Sequence, residues 1–478
     1  MTSKFHDEFK EYQQARRNFW SRLTDTGRKS FGDYYRALLV HIYGNLIPEN
    51  TRILELGCGS GDLIASLKPA YGVGIDFAEP VINRARQNHS GITFHVGDAH
   101  ALQDLVEGTF DFIILSDLPN DLWDVQGVLT ELRRFCNPET RLIFNIYSHL
   151  WNFPLLMARR LGLASPVLTQ NWLTTHDIEN MLEISRYQSL RAWSEILVPI
   201  DIPWVSKFAN RYLAKIFPLR FLNLSNFIVA RPRGLADDKD QTVSVVVAAR
   251  NESGHIDELL ARIPEMGLGT EIIFVEGNST DDTYEAIERA IQANPHRKCR
   301  LLKQTGRGKG DAVRAGFDAA TGDVLMILDA DITVPPEDLP RFYALIKDGT
   351  AEFVNGVRLV YPMEDDAMRF ANLIGNKFFS YAFSWLLGQP IRDTLCGTKV
   401  LSRSDYRRIA DNRAYFGDFD PFGDFDLLFG AARLNLKIME VPIRYRARRY
   451  GETNISRWKH GVLLLRMVAF AARRIKFV

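Results

Sequence analysis

The sequence predicts two doubly wound α/β domains in series, and three observations carry that expectation. Short apolar runs alternate with helical stretches through both halves of the chain, the pattern of largely parallel sheets with crossover helices. Each half contains a glycine-rich turn, Gly57-Cys-Gly59-Ser-Gly61 in the first and Gly306-Arg-Gly308-Lys-Gly310 in the second. Between them lies Arg231-Pro-Arg-Gly-Leu-Ala-Asp-Asp-Lys-Asp-Gln241, which has the composition of a linker. The expected division is a first domain over 1–233, a linker over 234–241 and a second domain over 242–478. A chain of 478 residues has ample length for both cores.

Composition narrows the function classes. The chain is 46% hydrophobic and 24% charged, with 59 basic residues against 58 acidic. That balance implies no polyelectrolyte role and no nucleic-acid partner. Cys58, Cys136, Cys299 and Cys396 are scattered without Cys-x-x-Cys spacing. They argue for reduced thiols in a cytoplasmic setting, and against a zinc site or a disulfide framework. The first seventeen residues are charged and lack the apolar core of a signal peptide. No uncharged run approaches the ~20 apolar residues of a spanning helix. The expectation is a soluble chain, or one peripheral on the cytoplasmic face of a membrane.

In the first half a helical stretch over 31–47 precedes Arg52-Ile-Leu-Glu55-Leu-Gly57-Cys-Gly59-Ser-Gly61-Asp62. The apolar residues predict a strand, the glycines a tight turn that lets a ligand approach the backbone, and 62–68 a helix. Further strands are expected over 71–76, 93–98, 110–116 and 141–146, with a helix over 80–88. Two of these strands end in acids, Asp76 and Asp98. Asp76 lies about 20 residues beyond the glycines, where a Rossmann-type fold sets an acid against ribose hydroxyls. That spacing alone permits a dinucleotide.

Glu55-Leu-Gly57-Cys-Gly59-Ser-Gly61 resembles the Glu-x-Gly-x-Gly-x-Gly motif of class I S-adenosylmethionine-dependent methyltransferases, and the likeness extends over 33–147. It implies a Rossmann-like domain binding S-adenosyl-L-methionine. Gly57, Gly59 and Gly61 would bracket the methionine part, with Glu55 in support. Asp76 would take the ribose hydroxyls, Asp98 and Ala99 the adenine edge, and Ser116 with Asp117 would lie beside the methyl group. The methyl acceptor is not readable. His149 and His176 are candidate bases toward it, although a lone histidine is more often a hydrogen-bonded structural residue. The apolar run 222–230 predicts the closing strand.

The second half begins with strand 243–249 and Arg250-Asn251-Glu252. A helix to 262, strand 271–275 and the turn Glu276-Gly-Asn-Ser-Thr-Asp281 follow. A helix over 284–293 and a strand over 300–302 lead to the Gly306–Gly310 loop. Its glycines surround Arg307 and Lys309 at the start of a helix over 311–320, a plausible anion cradle. Next comes Val324-Leu-Met-Ile-Leu-Asp329-Ala-Asp331, an unbroken apolar run ending in two carboxylates. Ligands gather at the carboxyl ends of such strands, and two acids there suit one hard cation, Mg2+ or Mn2+.

In this order the pieces resemble family-2 glycosyltransferases of the inverting GT-A (nucleotide-diphospho-sugar transferase) type, and within them the polyprenyl-phosphate (dolichyl-phosphate) mannose and glucose synthases. The resemblance runs over 243–456. It implies that Asn251 and Glu252 lie at the nucleotide pocket and that Glu276 and Asp281 contact base or ribose. Arg307 and Lys309 would lie near the diphosphate, and Asp329 and Asp331 would hold the metal. Gly356-Val-Arg358 and Arg369-Phe-Ala-Asn372 stand where the group carries acceptor-phosphate residues. Asp393-Thr-Leu-Cys-Gly397-Thr-Lys399, Gly423-Asp424-Phe-Asp426 and Arg448-Arg449-Tyr-Gly451-Glu-Thr453-Asn454 match further group segments. Glu276-Gly277 replaces a common Asp-Asp pair, Leu395 a Gln, and Thr453-Asn454 a Ser-Lys.

The implied partners are a UDP- or GDP-hexose and a polyprenyl phosphate or other glycan acceptor. A hydroxyl acceptor needs a general base, for which Asp424, or else Asp426, is the candidate. A lipid phosphate is already mostly ionised, with a second pKa of about 6. It needs arginines instead, and Arg358, Arg369, Arg446 and Arg448 are the candidates. A helix expected from about Ser456 carries Lys459, Arg466 and Arg473 on one face, with Val462, Leu465, Val468, Ala469 and Ala472 opposite. It suits either an interfacial helix on anionic lipid or one packed on the domain. The aromatic stretch 378–387 allows the same two readings. The remaining alternative is that one half is a binding module without catalysis.

Overall fold

Two seven-stranded sheets, one in each of two units, organise the computed structural model, which describes residues 3–22, 32–162, 168–235, 238–358, 360, 370–413, 425–446 and 457–477. The first unit comprises residues 1–235 with 477–478, and the second residues 236–476.

In the first unit the strands are β1 (Arg52–Leu56), β2 (Tyr71–Asp76), β3 (Thr93–Val96), β4 (Phe110–Ser116), β5 (Cys136–Tyr147), β6 (Tyr187–Glu195) and β7 (Ser225–Pro232). Their order is β3-β2-β1-β4-β5-β7-β6, and β7 runs against both its neighbours. The order reverses between β1 and β4, which opens a crevice at their carboxyl ends. Ile53, Leu54, Ile113 and Ile114 are fully buried because helices cover both faces. The apolar run 222–230 yields a strand only from Ser225; its first residue belongs to a 3-10 turn, Leu219–Leu222. β6 was not legible, since its Tyr-Gln-Ser-Leu-Arg-Ala-Trp-Ser-Glu is half polar and half-buried at the sheet edge.

The second unit contains β8 (Val243–Ala249), β9 (Thr270–Glu276), β10 (Lys298–Lys303), β11 (Val324–Asp329), β12 (Phe353–Val357), β13 (Lys399–Ser402) and β14 (Ile438–Pro442), in the order β10-β9-β8-β11-β13-β12-β14. β11 pairs in parallel with β8 and antiparallel with β13. Residues 324–328 are therefore buried at the sheet centre. The short β12, β13 and β14 escape sequence reading because four or five residues carry too little periodicity.

The helix Arg457–Ala471 packs against Phe370–Leu387, and its Leu464, Met467 and Ala471 are buried. Val462 and Leu465, expected on its apolar face, are instead half-exposed beside the exposed Arg466. The buried stripe starts from Leu464 and so lies rotated from the expected face. Phe370–Leu387 divides in the same way: Phe383, Leu386 and Leu387 are buried while Phe378 and Tyr381 are exposed. Among the described residues, no helix is long and apolar enough to cross a membrane.

Candidate functional site

In the first unit β1 delivers the chain into a turn in which Gly57, Gly59 and Gly61 have φ of 69°, 51° and 76°. A side chain is strained there, and at Gly61 a Cβ would also strike the Phe94 ring. Beneath the turn Glu55 is buried and accepts from the Ile64 N–H at 3.1 Å, pinning the start of the helix Asp62–Ser66. Burial, reinforced by Asp76 and Asp62, pushes its carboxyl up to about 8. Asp76, at the end of β2, accepts from Gly59 N at 3.1 Å and Ala78 N at 2.9 Å. Burial raises its pKa against the lowering effect of those donors.

A cleft opens beside this turn. The structure brings Gly57, Asp76, Asp98 and Ala99 together on its walls. Asp98 accepts from His100 N at 2.9 Å and contacts His100 Nδ1 at 2.7 Å. Burial would raise the Asp98 carboxyl, but His100 and Gln13 hold it below its ordinary value. Ser116 turns instead toward Asn145 Oδ1, at 3.2 Å. Asp117, in left-handed backbone and half-buried, accepts from the Tyr35 hydroxyl (2.9 Å) and from Asn145, and its removal from solvent lifts it to about 7. His149 and His176 are both exposed; the His149 ring meets the Trp172 carbonyl, and His176 lies in the first turn of Thr175–Ile184.

Sequence reasoning missed the opposite wall. The helix Ser3–Arg22 lays Tyr12, Gln13 and Arg16 over the cleft. Gln13 donates to Asp98, the Tyr12 hydroxyl reaches the Asp121 carbonyl at 3.0 Å, and the buried Arg16 faces Asp121 at 3.7 Å. Phe9 and Tyr12 pack on Trp123. The signal was present: Phe9, Tyr12, Gln13 and Arg16 share one helical face.

In the second unit Asn251 lies just beyond β8, in left-handed backbone (φ 56°), and its Oδ1 accepts from Thr280 N at 2.8 Å. Glu252 is buried, donating from its backbone to Thr283 Oγ1 at 2.9 Å and meeting His255 Nδ1 at 3.0 Å. At the end of β9, Glu276 accepts from Ser279 N at 2.5 Å. Asp281 Oδ1 takes Thr283 N at 3.1 Å, while Asp281 Oδ2 is buried without a hydrogen-bond partner. Asn251, Glu252, Glu276 and Asp281 are thus knit into one pair of adjacent strand-end turns.

The Gly306–Gly310 loop is shaped by Asp311, which accepts from Gly306 N (3.1 Å) and Gln304 (2.9 Å). Arg307 is exposed, and Lys309 reaches Asp329 Oδ1 at 2.6 Å. Burial would raise the Asp329 carboxyl, but Lys309, with Lys399 and Arg358 adding to it, holds it below its ordinary value. Asp331 accepts from Thr333 N (3.2 Å) and Oγ1 (2.7 Å). Gly397 presses its backbone against this pair; a Cβ there would run into Asp329 and Lys309. Among the described residues no group of three or more His, Cys, Asp or Glu side chains could hold a metal. Two carboxylates completed by substrate phosphate oxygens nevertheless fit the way Mg2+ is usually held.

Arg358 forks onto the buried Asp393, Nε to Oδ2 at 2.7 Å and Nη2 to Oδ1 at 2.9 Å. Asp426, buried in the first turn of Phe425–Arg433, has Arg413 at 3.4 Å and Arg314 at 3.7 Å. Arg446 donates its backbone N–H to the Thr333 carbonyl at 3.0 Å. Arg369, Asp424 and Arg448 lie outside the described residues.

Two strand-end clusters, one under a glycine turn and one around paired aspartates, lie in two domains that each match a transferase family. Residues 47–186 match the methyltransferase domain model, and residues 244–410 match glycosyl transferase family 2. The chain belongs to the family-2 glycosyltransferases, with a methyltransferase domain preceding that region. It is 32% identical over 225 residues to a dolichyl-phosphate hexose transferase of Haloferax volcanii, covering 46% of this chain and 90% of that protein. It is 36% identical over 110 residues to a dolichol-phosphate mannosyltransferase of Pyrococcus furiosus, covering 23% of this chain and 31% of the relative. A Klebsiella pneumoniae undecaprenyl-phosphate 4-deoxy-4-formamido-L-arabinose transferase is 34% identical over 111 residues, 22% of this chain and 34% of its own. The chain therefore spans about a third of the Pyrococcus and Klebsiella proteins.

Proposed function

We propose that the chain is bifunctional. Its first domain (1–233) transfers a methyl group from S-adenosylmethionine. Its second (242–478) transfers a hexose with inversion from a UDP- or GDP-sugar to a polyprenyl phosphate. The observation that carries the glycosyl half is the Asp329–Lys309 pair at the end of β11, with the Gly397 backbone packed on it. Asp329 and Asp331 would hold Mg2+ or Mn2+, which supplies positive charge to a diphosphate leaving group. Lys309 adds a second cation and Arg307 a third, so charge developing on that group meets fixed donors. Glu276, Asp281, Asn251 and Glu252 orient base and ribose. The polyprenyl acceptor is supported by the lipid phosphates in the relatives' names. Such a phosphate needs no base, only orientation by arginines such as Arg358, Arg446 and Arg448. Contact is then made at the cytoplasmic face of a membrane.

In the methyl half, S-adenosylmethionine would supply an electrophilic methyl group. Asp76 would accept from the ribose hydroxyls, Asp98 and Ala99 would meet the adenine, and Gly57, Gly59 and Gly61 would let the methionine part reach the backbone. Glu55 fixes the turn from below, and Tyr12, Gln13 and Arg16 exclude water from above. A hydroxyl acceptor for the sugar is the second reading, favoured by Thr453-Asn454 where a Ser-Lys pair would offer a phosphate its cation. Incubation with nucleotide hexoses, Mn2+ and either polyprenyl phosphate or soluble glycans, with products weighed by mass spectrometry, decides between them. A glycolipid is expected; only glycosylated soluble product would establish the second reading.

A further inference from the structure

The first unit carries an apolar face that neither candidate site explains. Most of the exposed large apolar side chains among the described residues fall in two stretches of that unit, 150–161 and 200–222. Trp204 is 91% exposed, Phe217 70%, Phe153 70% and Leu161 67%, with Phe208 and Phe221 each above half. The two stretches adjoin, because the Trp151 indole donates to the Leu222 carbonyl at 2.8 Å. Scattered exposed apolar residues need no explanation, but a contiguous set marks a partner or a membrane.

The polarity of this region is inside out. Ser206 is fully buried, taking the Ile202 N–H (2.9 Å) and donating to the Ile200 carbonyl (2.6 Å). Asn210 bonds both backbone groups of Val198 at 2.8 Å, and buried Asn223 donates to the Ala214 carbonyl at 2.8 Å. On the helix Val205–Arg211, Ser206 and Ala209 face inward while Val205 and Phe208 face out. Small polar residues thus tie the backbone down, and the large apolar side chains outside are dispensable to that tie. The charges nearby are one-sided: Arg160, Lys207, Arg211 and Arg220 are exposed, against Asp201 alone, and the first stretch holds no acid. Aromatic and aliphatic side chains ringed by arginine and lysine match a bilayer interface with anionic headgroups.

We propose that this face of the first unit docks on an anionic lipid bilayer, with Trp204, Phe208, Phe217 and Phe221 entering the headgroup region. The inference goes beyond the proposed activities and does not depend on them.

The test is flotation of the full chain with phosphatidylcholine vesicles, with and without phosphatidylglycerol. Binding is expected with phosphatidylglycerol, weakened by salt. The triple variant Trp204→Ser/Phe208→Ser/Phe217→Ser should lose more than about tenfold in partitioning, and Lys207→Glu/Arg220→Glu should lose the phosphatidylglycerol dependence. A triple variant that floats as the wild type overturns the proposal, as does loss of binding only on Leu465→Ser/Arg466→Glu in the C-terminal helix. A wild-type oligomer that the triple variant breaks, with vesicle binding unchanged, would make the face a contact between copies instead. Should the triple variant not fold, brominated lipid decides: quenching in the wild type that disappears in Trp204→Phe supports docking, and equal quenching overturns it.

Discussion

Replacing Arg358 separates a residue that touches substrate from one that holds the site together. Its guanidinium forks onto Asp393, whose carboxylate also accepts from Arg358 N and Leu395 N, each at 3.0 Å. The Asp393 side chain is 2% exposed and that of Arg358 13%, so both charges are removed from water. Arg358→Met leaves Asp393 with two backbone donors and no counter-charge, a loss of about 3–5 kcal/mol of stability. Asp393→Asn strands the guanidinium to a similar degree. The double variant buries no lone charge and should be more stable than either single variant. The assay is urea unfolding of the wild type, both singles and the double, read as a coupling energy so that contributions of the rest of the chain cancel. Arg358 holds Asp393 below its ordinary 3.8. The pair's contribution is therefore present above pH 3.8 and is lost as pH falls below it, in the wild type and not in Arg358→Met. A single-variant loss under about 1 kcal/mol, or strict additivity, would mean a solvated pair and refute the reasoning.

Three further perturbations follow from the sites. Glu55 is raised from 4.5 to about 8, so its proton favours the folded state and the benefit is lost as pH climbs through that window. Wild-type stability should drop by up to about 4–5 kcal/mol relative to Glu55→Gln between those limits, measured by urea midpoints at stepped pH. Asp76→Ala removes the proposed ribose acceptor and should weaken S-adenosylhomocysteine binding by roughly tenfold or more in calorimetry. Gly397→Ala places a methyl group against Asp329 and Lys309; hexose transfer should fall by at least about tenfold with the melting temperature nearly unchanged.

Much of both folds is legible because buried parallel strands announce themselves. Tyr71–Asp76, Phe110–Ser116 and Val243–Ala249 fall at the expected limits, since each is an apolar run bounded by turn residues or acids. β12 to β14 are too short to show a period, and their pairing, β13 with β11 and β12 and β12 with β14, is a long-range fact absent from local pattern. The same holds for side chains. Asp76 and Asp329 are visible as acids at strand ends, whereas the hold of Gln13 on Asp98 spans 85 residues. The Arg358–Asp393 fork spans 35 and appears in sequence only as two separate motif fragments. Asp426 is likewise visible as a motif acid, whereas the approach of Arg314 to its carboxylate is a tertiary contact.

One chain with two independent ligand sites is the central claim, and calorimetry on the full chain tests it most directly. S-adenosylhomocysteine, and separately UDP or GDP with Mn2+, should each bind once per chain. Asp76→Ala should remove only the first binding event and Asp331→Ala only the second, with Mn2+ required for the nucleotide at full affinity. Silence toward one ligand class in the wild type would contradict the account and leave that half a module without catalysis.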